Sequence, residues 1–303
     1  MFDAIIVGAG PAGMAAAVYL ARQKLNFVML TGDLGGKALW SSDVENYLGF
    51  HMMDGVDLVT KFRQHLEDYK DVFQIKEGEL VTSIEKSEHG FNVTTLKRTY
   101  ETRTVLIATG EDNRKLNVPG EKEFYGKGVT YCATCDAPLF KGKIVHVIGG
   151  GNSAMDAALF LAKYAKSVTI VSVNASLGGD EIMKKNCTTD LTIRVLDSTK
   201  TTKFTGEGML SGIGLVGPDG TERIEQTEGV FIEIGLVPVS QFIDSVAKNR
   251  TGEIIVDKFN QTNVPGIFAA GDVTDVTEKQ IAVAVGEGSK AALQLIHHLQ
   301  QHP

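Results

Sequence analysis

Residues 3–13 read DAIIVGAGPAG, an apolar stretch that runs directly into a cluster of glycines. Gly8, Gly10 and Gly13 form the pattern G-x-G-x-x-G between a predicted strand and a predicted helix. In this pattern the first glycine permits a tight turn, the second lets the backbone approach a pyrophosphate, and the third lets the helix pack on the strand. The N-terminus of the helix then faces the phosphates. The stretch therefore predicts a dinucleotide-binding βαβ unit.

The same plan occurs a second time, in KIVHVIGGGNSA at residues 143–154. Here Gly149, Gly151 and Ala154 make G-x-G-x-x-A. In both copies a strand, a glycine turn, a helix and a second strand precede shorter alternating segments and a buried strand. Such a repeat predicts two related domains. We therefore predict an α/β fold with two Rossmann-like dinucleotide-binding domains of the three-layer ββα type.

The strand IFAAGD at residues 267–272 and the helical stretch after it have no counterpart in the second copy. We expect them to complete the sheet of the first domain, so that the second domain is inserted into the first. The chain would enter the inserted domain near Arg114 and leave it near Val239, both in polar or proline-containing stretches. The predicted domains are residues 1–113 with 240–303, and residues 114–239.

The composition is that of an ordinary globular enzyme. The 303 residues are 43% hydrophobic and 22% charged, which suffices for two domains with large cores. The net charge of −7 argues against nucleic-acid binding, because phosphates need an overall basic face. Three cysteines are too few for a secreted disulfide scaffold, and no apolar run reaches membrane-spanning length. We expect a cytoplasmic protein without nucleic-acid or membrane partners.

The first glycine turn suits either FAD or a nicotinamide dinucleotide, and two later features favour FAD. Ala108, Thr109 and Gly110 end an apolar strand with small residues, where the backbone can lie close to a ligand. Gly271 and Asp272 end another strand with a carboxylate that can accept hydrogen bonds from sugar or ribityl hydroxyls, or simply cap a turn. A helix predicted to begin near residues 279–281 would direct its positive end at an anionic reduced flavin. We predict that the first domain binds FAD and that the second is NAD(P)-binding-like.

VTYCATCDAP at residues 129–138 places Cys132 and Cys135 in a C-x-x-C motif. The spacing suits a reversible disulfide, and it also suits half of a zinc site. Zinc would need two further ligands, but Cys187 stands alone and His146 lies inside a predicted strand. The sequence therefore favours a redox dithiol and no metal. Asp136 follows directly and can move the proton that thiol–disulfide chemistry requires, or cap a helix or turn.

The second glycine turn lacks the charges that normally accompany it. NADP requires cations for its 2′-phosphate, and NAD requires an acid near the end of the second strand. Residues 171–180, VSVNASLGGD, contain no cation and only one acid, Asp180. Lys184 and Lys185 follow on a predicted solvated helix face. Losing one charge-assisted contact costs about 1.5–3 kcal/mol, so we expect weak nicotinamide binding, unless the site grips the ribose in an unusual way.

These motifs together resemble low-molecular-weight thioredoxin reductases over essentially the whole chain. The resemblance rests on GAGPAG, GGK, VENYLGF, IATG, CATCD, IGGGNSA and AAGD, of which CATCD between two dinucleotide units is the most specific. It implies a homodimer with bound FAD that reduces thioredoxin. It also implies that Cys135 lies against the flavin, that Cys132 attacks the disulfide of thioredoxin and that Asp136 is the acid–base residue. The candidate cofactor-binding residues are Gly8, Gly10, Pro11, Ala12, Gly13, Thr31, Gly35, Gly36, Lys37, Asn46, Val81, Ala108, Thr109, Gly110, Gly271, Asp272, Lys279, Gln280 and Ile281.

One departure from this family concerns the electron donor. NADPH-using members carry a histidine–arginine–arginine run, with a further arginine, where this chain has VSVNASLGG. The chain is more similar to the pyridine-nucleotide-independent branch, in which reduced ferredoxin supplies single electrons. The alternatives are an NADPH- or NADH-driven reductase, a deazaflavin-dependent reductase like those of a related archaeal branch, and a redox sensor without turnover. Trp40 would fall near the flavin, either stacked on it or packed in the core.

Overall fold

The computed structural model describes residues 1–41 and 44–302, and the side chain of Trp40 lies outside that description. The chain divides into two compact units. Unit 1 consists of Met1–Asp112 and Val237–Pro303, and unit 2 of Asn113–Leu236. The second unit is therefore an insertion in the first, with crossings at residues 112–113 and 236–237.

Unit 1 is built on a sheet whose central strands are parallel. The strands are β1 (Phe2–Ala9), β2 (Phe27–Leu34), β3 (Gln74–Glu77), β4 (Val81–Ser87), β5 (Gly90–Thr95), β6 (Thr99–Ile107) and β17 (Ile267–Ala269). The parallel order is β3-β2-β1-β6, with β17 also paired to β6, and β4 and β5 form an antiparallel meander with the first half of β6. As expected, the strand near the C-terminus returns to the first sheet.

Alternating side chains of these strands enter two separate cores. Ala4 and Ile6 of β1 face the core beneath the helices, whereas Ile5 and Val7 face the core on the meander side. The helices of this unit are α1 (Pro11–Arg22), α2 (Gly55–Glu67) and α6 (Ile281–Gln301), with a 3₁₀ helix at Gly36–Trp40. Because successive side chains of a strand point to opposite faces of the sheet, both faces carry a core, and the unit has three layers.

Unit 2 repeats the plan around a parallel sheet of its own. Its strands are β8 (Val129–Thr130), β9 (Ile144–Ile148), β10 (Ser167–Val171), β11 (Ile193–Leu196), β12 (Lys200–Glu207), β13 (Met209–Val216), β14 (Glu222–Gln226) and β15 (Gly229–Ile232). The parallel order is β11-β10-β9-β15-β8. The helices are α3 (Ala133–Asp136), α4 (Asn152–Leu161) and α5 (Glu181–Thr189), with a 3₁₀ helix at Ala137–Phe140. One core lies on the helix side of the sheet and another beneath the β12-β13-β14 meander.

Two short strands mark the crossings between the units. They are β7 (Glu111–Asn113) and β16 (Leu236–Pro238), and they pair with each other. The predicted α/β class with two Rossmann-like domains of three layers, the second inserted into the first, is confirmed. In the part of the chain that the structure describes, no helix is both long enough and apolar enough to span a bilayer.

Candidate functional site

The first glycine turn joins β1 to α1, and two of its glycines are required by the chain's own packing. Gly8 has φ +105°, and a Cβ there would lie 2.3 Å from the carbonyl oxygen of Ala108. A Cβ on Gly13 would lie 2.1 Å from the carbonyl oxygen of Gly8. No side chain can occupy either place, so these glycines let the end of β6 and the helix approach the turn.

Gly10 is different, because it is not required by close packing. A Cβ at this position would meet no atom of the described residues within 4 Å. Helix α1 begins at the next residue without a side-chain cap and without an acidic residue in its first turn. An open space beside uncapped backbone N–H groups fits an anionic group such as a pyrophosphate. The turn therefore fits the phosphates of a dinucleotide.

Two other predicted segments come close to this turn. A Cβ on Gly36 would lie 3.4 Å from the Cα of Gly10. A Cβ on Gly271 would lie 3.0 Å from the Cβ of Ala12. Both positions have positive φ, +57° at Gly36 and +77° at Gly271, which glycine adopts readily. The structure thus brings the GGK segment and the loop after β17 to the same place.

Lys37 forms a charged cluster with two carboxylates. Its Nζ lies 2.9 Å from Oδ2 of Asp272 and 3.1 Å from Oε2 of Glu111. Lys37 and Asp272 are predicted site residues, whereas Glu111 was missed. The sequence signal that could have found it is a charged residue placed directly after the small residues that follow β6, at the same sheet edge as Asp272.

The loop that carries Gly271 and Asp272 is held by two further residues. Glu287 of α6 is buried, and its Oε2 accepts a hydrogen bond from the backbone N–H of Gly271 at 3.0 Å. Lys279 donates from Nζ to the carbonyl oxygen of Asp272 at 3.0 Å and pairs with Glu253 at 2.9 Å. Lys279 therefore helps to fix the position of this loop. Glu287 is a second residue that sequence reasoning missed.

The remaining predicted cofactor residues also lie in unit 1. The side-chain amide of Asn46 donates to Oε1 of Gln280 at 2.9 Å, just before α6 begins at Ile281. Thr31 donates to the carbonyl oxygen of Asp33, and Thr109 donates to that of Val239 at 2.6 Å. The other members of the set lie at the glycine turn, at Gly35 before the 3₁₀ helix, at Ala108 and Gly110 after β6, and at Val81, where β4 begins.

The C-x-x-C cysteines lie at the start of α3 in unit 2. Cys132 and Cys135 are joined in a disulfide, and the backbone N–H of Cys135 donates to Sγ of Cys132 at 3.2 Å. The hydroxyl of Thr130 donates to Oδ2 of Asp136 at 2.5 Å and accepts the N–H of Cys132 at 3.2 Å. The structure thus holds the predicted acid–base residue beside the disulfide.

Cys187 lies apart from this pair. It is a buried free cysteine on α5, and burial raises the pKa of its thiol to about 11. Such a thiol stays protonated and unreactive near neutral pH, because the thiolate is the reactive form.

Glu233 follows β15 and contacts the disulfide helix. Burial raises the pKa of its carboxyl group to about 7. A hydrogen bond from the backbone N–H of Ala133 acts in the opposite direction, and the charge of Asp156 raises the pKa further. Sequence reasoning missed this residue, because it lies within an otherwise apolar strand sequence, GVFIEIG.

The second glycine turn joins β9 to α4 and has the same geometry as the first. Gly149 has φ +144°, and a Cβ there would lie 2.1 Å from the carbonyl oxygen of Glu233. A Cβ on Gly151 would meet nothing within 4 Å, and α4 has no acidic residue in its first turn. The turn itself therefore keeps room for a phosphate group.

The segment after β10 folds back onto this turn. The backbone N–H of Gly178 donates to the carbonyl oxygen of Gly150 at 2.6 Å, and that of Asp180 donates to Oδ1 of Asn152 at 2.9 Å. The carboxylate of Asp180 caps α5 by accepting the N–H groups of Ile182 and Met183 at 2.9 and 3.1 Å. The one acid of the segment is therefore engaged with its own helix.

The cations that follow are also placed on α5. Lys184 pairs with Glu181 at 2.7 Å, one turn of the helix away, and Lys185 is exposed. In the described segment 171–180, no residue is a cation.

The comparisons with known proteins agree with this geometry. The chain matches the family model described as pyridine nucleotide-disulphide oxidoreductase over residues 2–288. It is 41% identical to an alkyl hydroperoxide reductase component of Xanthomonas campestris pv. phaseoli and covers 57% of that protein with 98% of its own length. It is 38% identical to an NADH dehydrogenase of Bacillus subtilis, with 98% of this chain and 58% of that protein covered. The chain thus spans little more than half the length of these relatives.

Several solved structures resemble the whole chain. Thioredoxin reductase of Lactococcus lactis has a TM-score of 0.83 at 33% identity, over 99% of this chain and 100% of that one. Thioredoxin reductase of T. acidophilum has a TM-score of 0.79 at 39% identity, over 100% and 99%. A ferredoxin-flavin thioredoxin reductase of Clostridium acetobutylicum has a TM-score of 0.55 at 31% identity, over 99% and 98%.

The chain belongs to the pyridine nucleotide-disulphide oxidoreductase family. The predicted cofactor, FAD, is confirmed as the cofactor of this family and its thioredoxin reductase neighbours.

Proposed function

We propose that the protein is a flavin-dependent thioredoxin reductase that receives its electrons from reduced ferredoxin, and that it works as a homodimer. The observation that carries this proposal is the disulfide of Cys132 and Cys135 in a unit whose described segment 171–180, after the second glycine turn, contains no cation and only one acid. The similarity to thioredoxin reductases over essentially the whole chain supports the disulfide substrate.

FAD would be held in unit 1. The backbone around Gly10 and the N-terminus of α1 would bind its pyrophosphate, and Lys37 and Asp272 lie at the neighbouring sheet edge, where ring and ribityl groups can be oriented. Bound FAD supplies the capacity to accept single electrons and deliver a pair, which suits a one-electron donor.

The chemistry on thioredoxin belongs to the two cysteines. In the reduced dithiol, the Cys132 thiolate attacks one sulfur of the thioredoxin disulfide and forms a mixed disulfide. The Cys135 thiolate then attacks Sγ of Cys132, restores the disulfide and releases reduced thioredoxin. Asp136, which directly follows Cys135, supplies or takes the proton.

The choice of donor follows from the segment after β10. A bound NADPH would find no cation there for its 2′-phosphate, and NAD would find its one acid, Asp180, already capping α5. Loss of one charged contact weakens binding by about tenfold to more than a hundredfold. The similarity to a structure named as a ferredoxin-flavin thioredoxin reductase supports ferredoxin as the alternative source of electrons.

A second candidate is a reductase driven by NADH or NADPH. The open space at Gly151 and the start of α4 without an acid leave the phosphate part of such a site intact. A relative with the name NADH dehydrogenase also favours it.

Anaerobic reduction of the flavin separates these candidates. We expect reduced ferredoxin to bleach the flavin absorbance within the time of turnover, and NADPH and NADH at sub-millimolar concentration to leave it oxidised. Prompt bleaching by either nucleotide would assign the donor to the second candidate.

A substitution tests the role of the disulfide. Cys132→Ser should keep reducible FAD and lose reduction of thioredoxin, because the attacking thiolate is gone. Cys187→Ala is the matched control, since that thiol is buried on α5 and should not contribute to turnover. If the Cys132 variant reduced thioredoxin at the normal rate, the proposed mechanism would be wrong.

A further inference from the structure

Thr130 connects the two groups that the exchange reaction uses. It lies in β8, pairs with Phe231 of β15 and is 8% exposed. Its hydroxyl oxygen lies 2.5 Å from Oδ2 of Asp136 and 3.2 Å from the backbone nitrogen of Cys132. Neither the C-x-x-C motif nor the glycine turns point to this residue.

The donors and acceptors in this chain of contacts have fixed directions. The single hydroxyl proton of Thr130 is directed at Oδ2 of Asp136, which accepts the hydrogen bond. A lone pair of the same oxygen accepts the N–H of Cys132. The buried strand thus fixes both the carboxylate and the residue that leads into α3.

We propose that Thr130 is a positioning residue for thiol–disulfide exchange, which holds the carboxylate of Asp136 where it can exchange a proton with the reacting sulfurs. The inference rests on the proposed function in one respect, namely that Asp136 handles this proton. It goes beyond that function by assigning the orientation of Asp136 to a hydroxyl outside the motif.

The proton is needed at a defined step. As the bond from Cys132 Sγ to an acceptor sulfur forms, the acceptor's S–S bond breaks and its second sulfur leaves as a thiolate. Attack of the Cys135 thiolate on Cys132 then breaks the mixed disulfide and releases the other acceptor sulfur. The cysteine pair loses two electrons and two protons, and the acceptor gains both. An aliphatic thiolate is a poor leaving group, so it depends on a proton from a positioned acid.

The dependence on the leaving group makes the proposal testable without thioredoxin or the physiological electron donor. The protein with its FAD bound is reduced anaerobically with dithionite, freed of excess reductant and mixed with hydroxyethyl disulfide, which has aliphatic leaving groups. The same reaction is run with dithiobis(nitrobenzoate), whose aromatic thiolate leaves without a proton. The rates are compared for the unmodified protein, Thr130→Val, Thr130→Ser, Asp136→Asn and the double variant Thr130→Val/Asp136→Asn.

We expect Thr130→Val to slow the reaction with the aliphatic disulfide by about tenfold or more, and Thr130→Ser to restore most of the rate, because serine keeps the hydroxyl. With the aromatic disulfide, Thr130→Val should react like the unmodified protein. The double variant should be no slower than Asp136→Asn alone, because a residue that acts only through Asp136 has nothing left to position.

Three results would overturn the inference: an unchanged rate in Thr130→Val, an equal loss of rate with both disulfides, or a double variant slowed by the full factor of each substitution. Retention of FAD and an unchanged melting temperature exclude a folding defect, and Thr130→Ala, which also lacks the hydroxyl, carries the test if the valine variant is unstable. If the variants behave as expected but the unmodified protein does not reduce thioredoxin, the proposed function fails and the role of Thr130 stands.

Discussion

Glu233 is a titratable residue that contacts two parts of unit 2 distant from it in sequence. They are the second glycine turn and the start of the disulfide helix. Its backbone carbonyl oxygen packs so closely on Gly149 of the second glycine turn that a Cβ there would clash with it. Its carboxyl group accepts a hydrogen bond from the backbone N–H of Ala133 at the start of the disulfide helix. Burial raises the pKa of this carboxyl group to about 7, so it changes charge near neutral pH. The free energy of unfolding must therefore depend on pH, in a direction that the raised pKa determines.

Between the ordinary glutamate pKa of 4.5 and about 7, the folded protein holds a proton at Glu233 that the unfolded chain has released. The free energy of unfolding therefore falls as pH rises through this window, by about 1.4 kcal/mol per pH unit and at most about 3.5 kcal/mol in total. Glu233→Gln removes this contribution. We expect the variant's free energy of unfolding, measured by urea denaturation from pH 4.5 to 8, to be less dependent on pH by that amount.

The control for this prediction is Glu207→Gln, which changes an exposed glutamate at the end of β12 in the same unit. It should reproduce the pH dependence of the unmodified protein. A Glu233→Gln curve that runs parallel to the unmodified one would show that Glu233 ionises with an ordinary pKa in the folded state.

At the scale of elements, Gly8 and Gly10 in the segment that joins β1 to α1 are glycines for different reasons. Gly8 is required by the fold, since it has φ +105° and a Cβ would lie 2.3 Å from the carbonyl oxygen of Ala108. Gly10 has φ −75°, which any residue adopts, and its Cβ would point into empty space. Room for a pyrophosphate beside the backbone, rather than packing of the chain, is therefore the expected reason for glycine at this position.

Substitution of each glycine by alanine should therefore give opposite patterns. Gly8→Ala should destabilise the FAD-free protein by about 3 kcal/mol or more, because strain and a backbone clash combine. Gly10→Ala should change that stability by about 1 kcal/mol or less but weaken FAD binding by about tenfold or more. Urea denaturation of the FAD-free protein and fluorescence titration with FAD measure the two effects. Normal FAD affinity in Gly10→Ala would argue against a pyrophosphate at this turn.

The sequence was sufficient for these elements because their signals are local. Glycine spacing after an apolar strand predicted both turns, and CATCD predicted a reactive pair that the structure joins in a disulfide. The carboxyl ends of the strands were also predictable, since Gly110 and Asp272 follow apolar runs directly.

The contacts that complete the site were not predictable, because they join residues distant in sequence. Lys37 and Glu111 are 74 positions apart, and the parallel pairing of β1 with both β2 and β6 brings their segments together. The acceptance of hydrogen bonds from sugar or ribityl hydroxyls by Asp272 stays a prediction, and the pairing of its carboxylate with Lys37 gave no signal in the sequence. Glu287 gave no signal within its helix, because its partner Gly271 belongs to another element.

At the scale of the whole molecule, the candidate cofactor residues and the disulfide of Cys132 and Cys135 belong to different units. Unit 1 is formed by two chain segments, and its sheet is complete only when β17 returns to β6 after residue 237. Unit 2 is one continuous segment with a sheet of its own. The stability of the two units should therefore respond separately to a ligand that contacts only one of them.

Removal of FAD tests this separation. A ligand that binds only the folded form stabilises it by about 2.7 kcal/mol at a free concentration about 100 times its Kd. We expect FAD removal to lower the stability of unit 1 and leave that of unit 2 unchanged. Hydrogen exchange followed by mass spectrometry should show lost protection in β17 and the first turns of α6, and none in β9 and β10. Re-addition of FAD should restore protection in proportion to the logarithm of its concentration. Equal loss in β9 and β10 would mean that the cofactor contacts unit 2 as well, and the assignment of its binding residues to unit 1 alone would then be wrong.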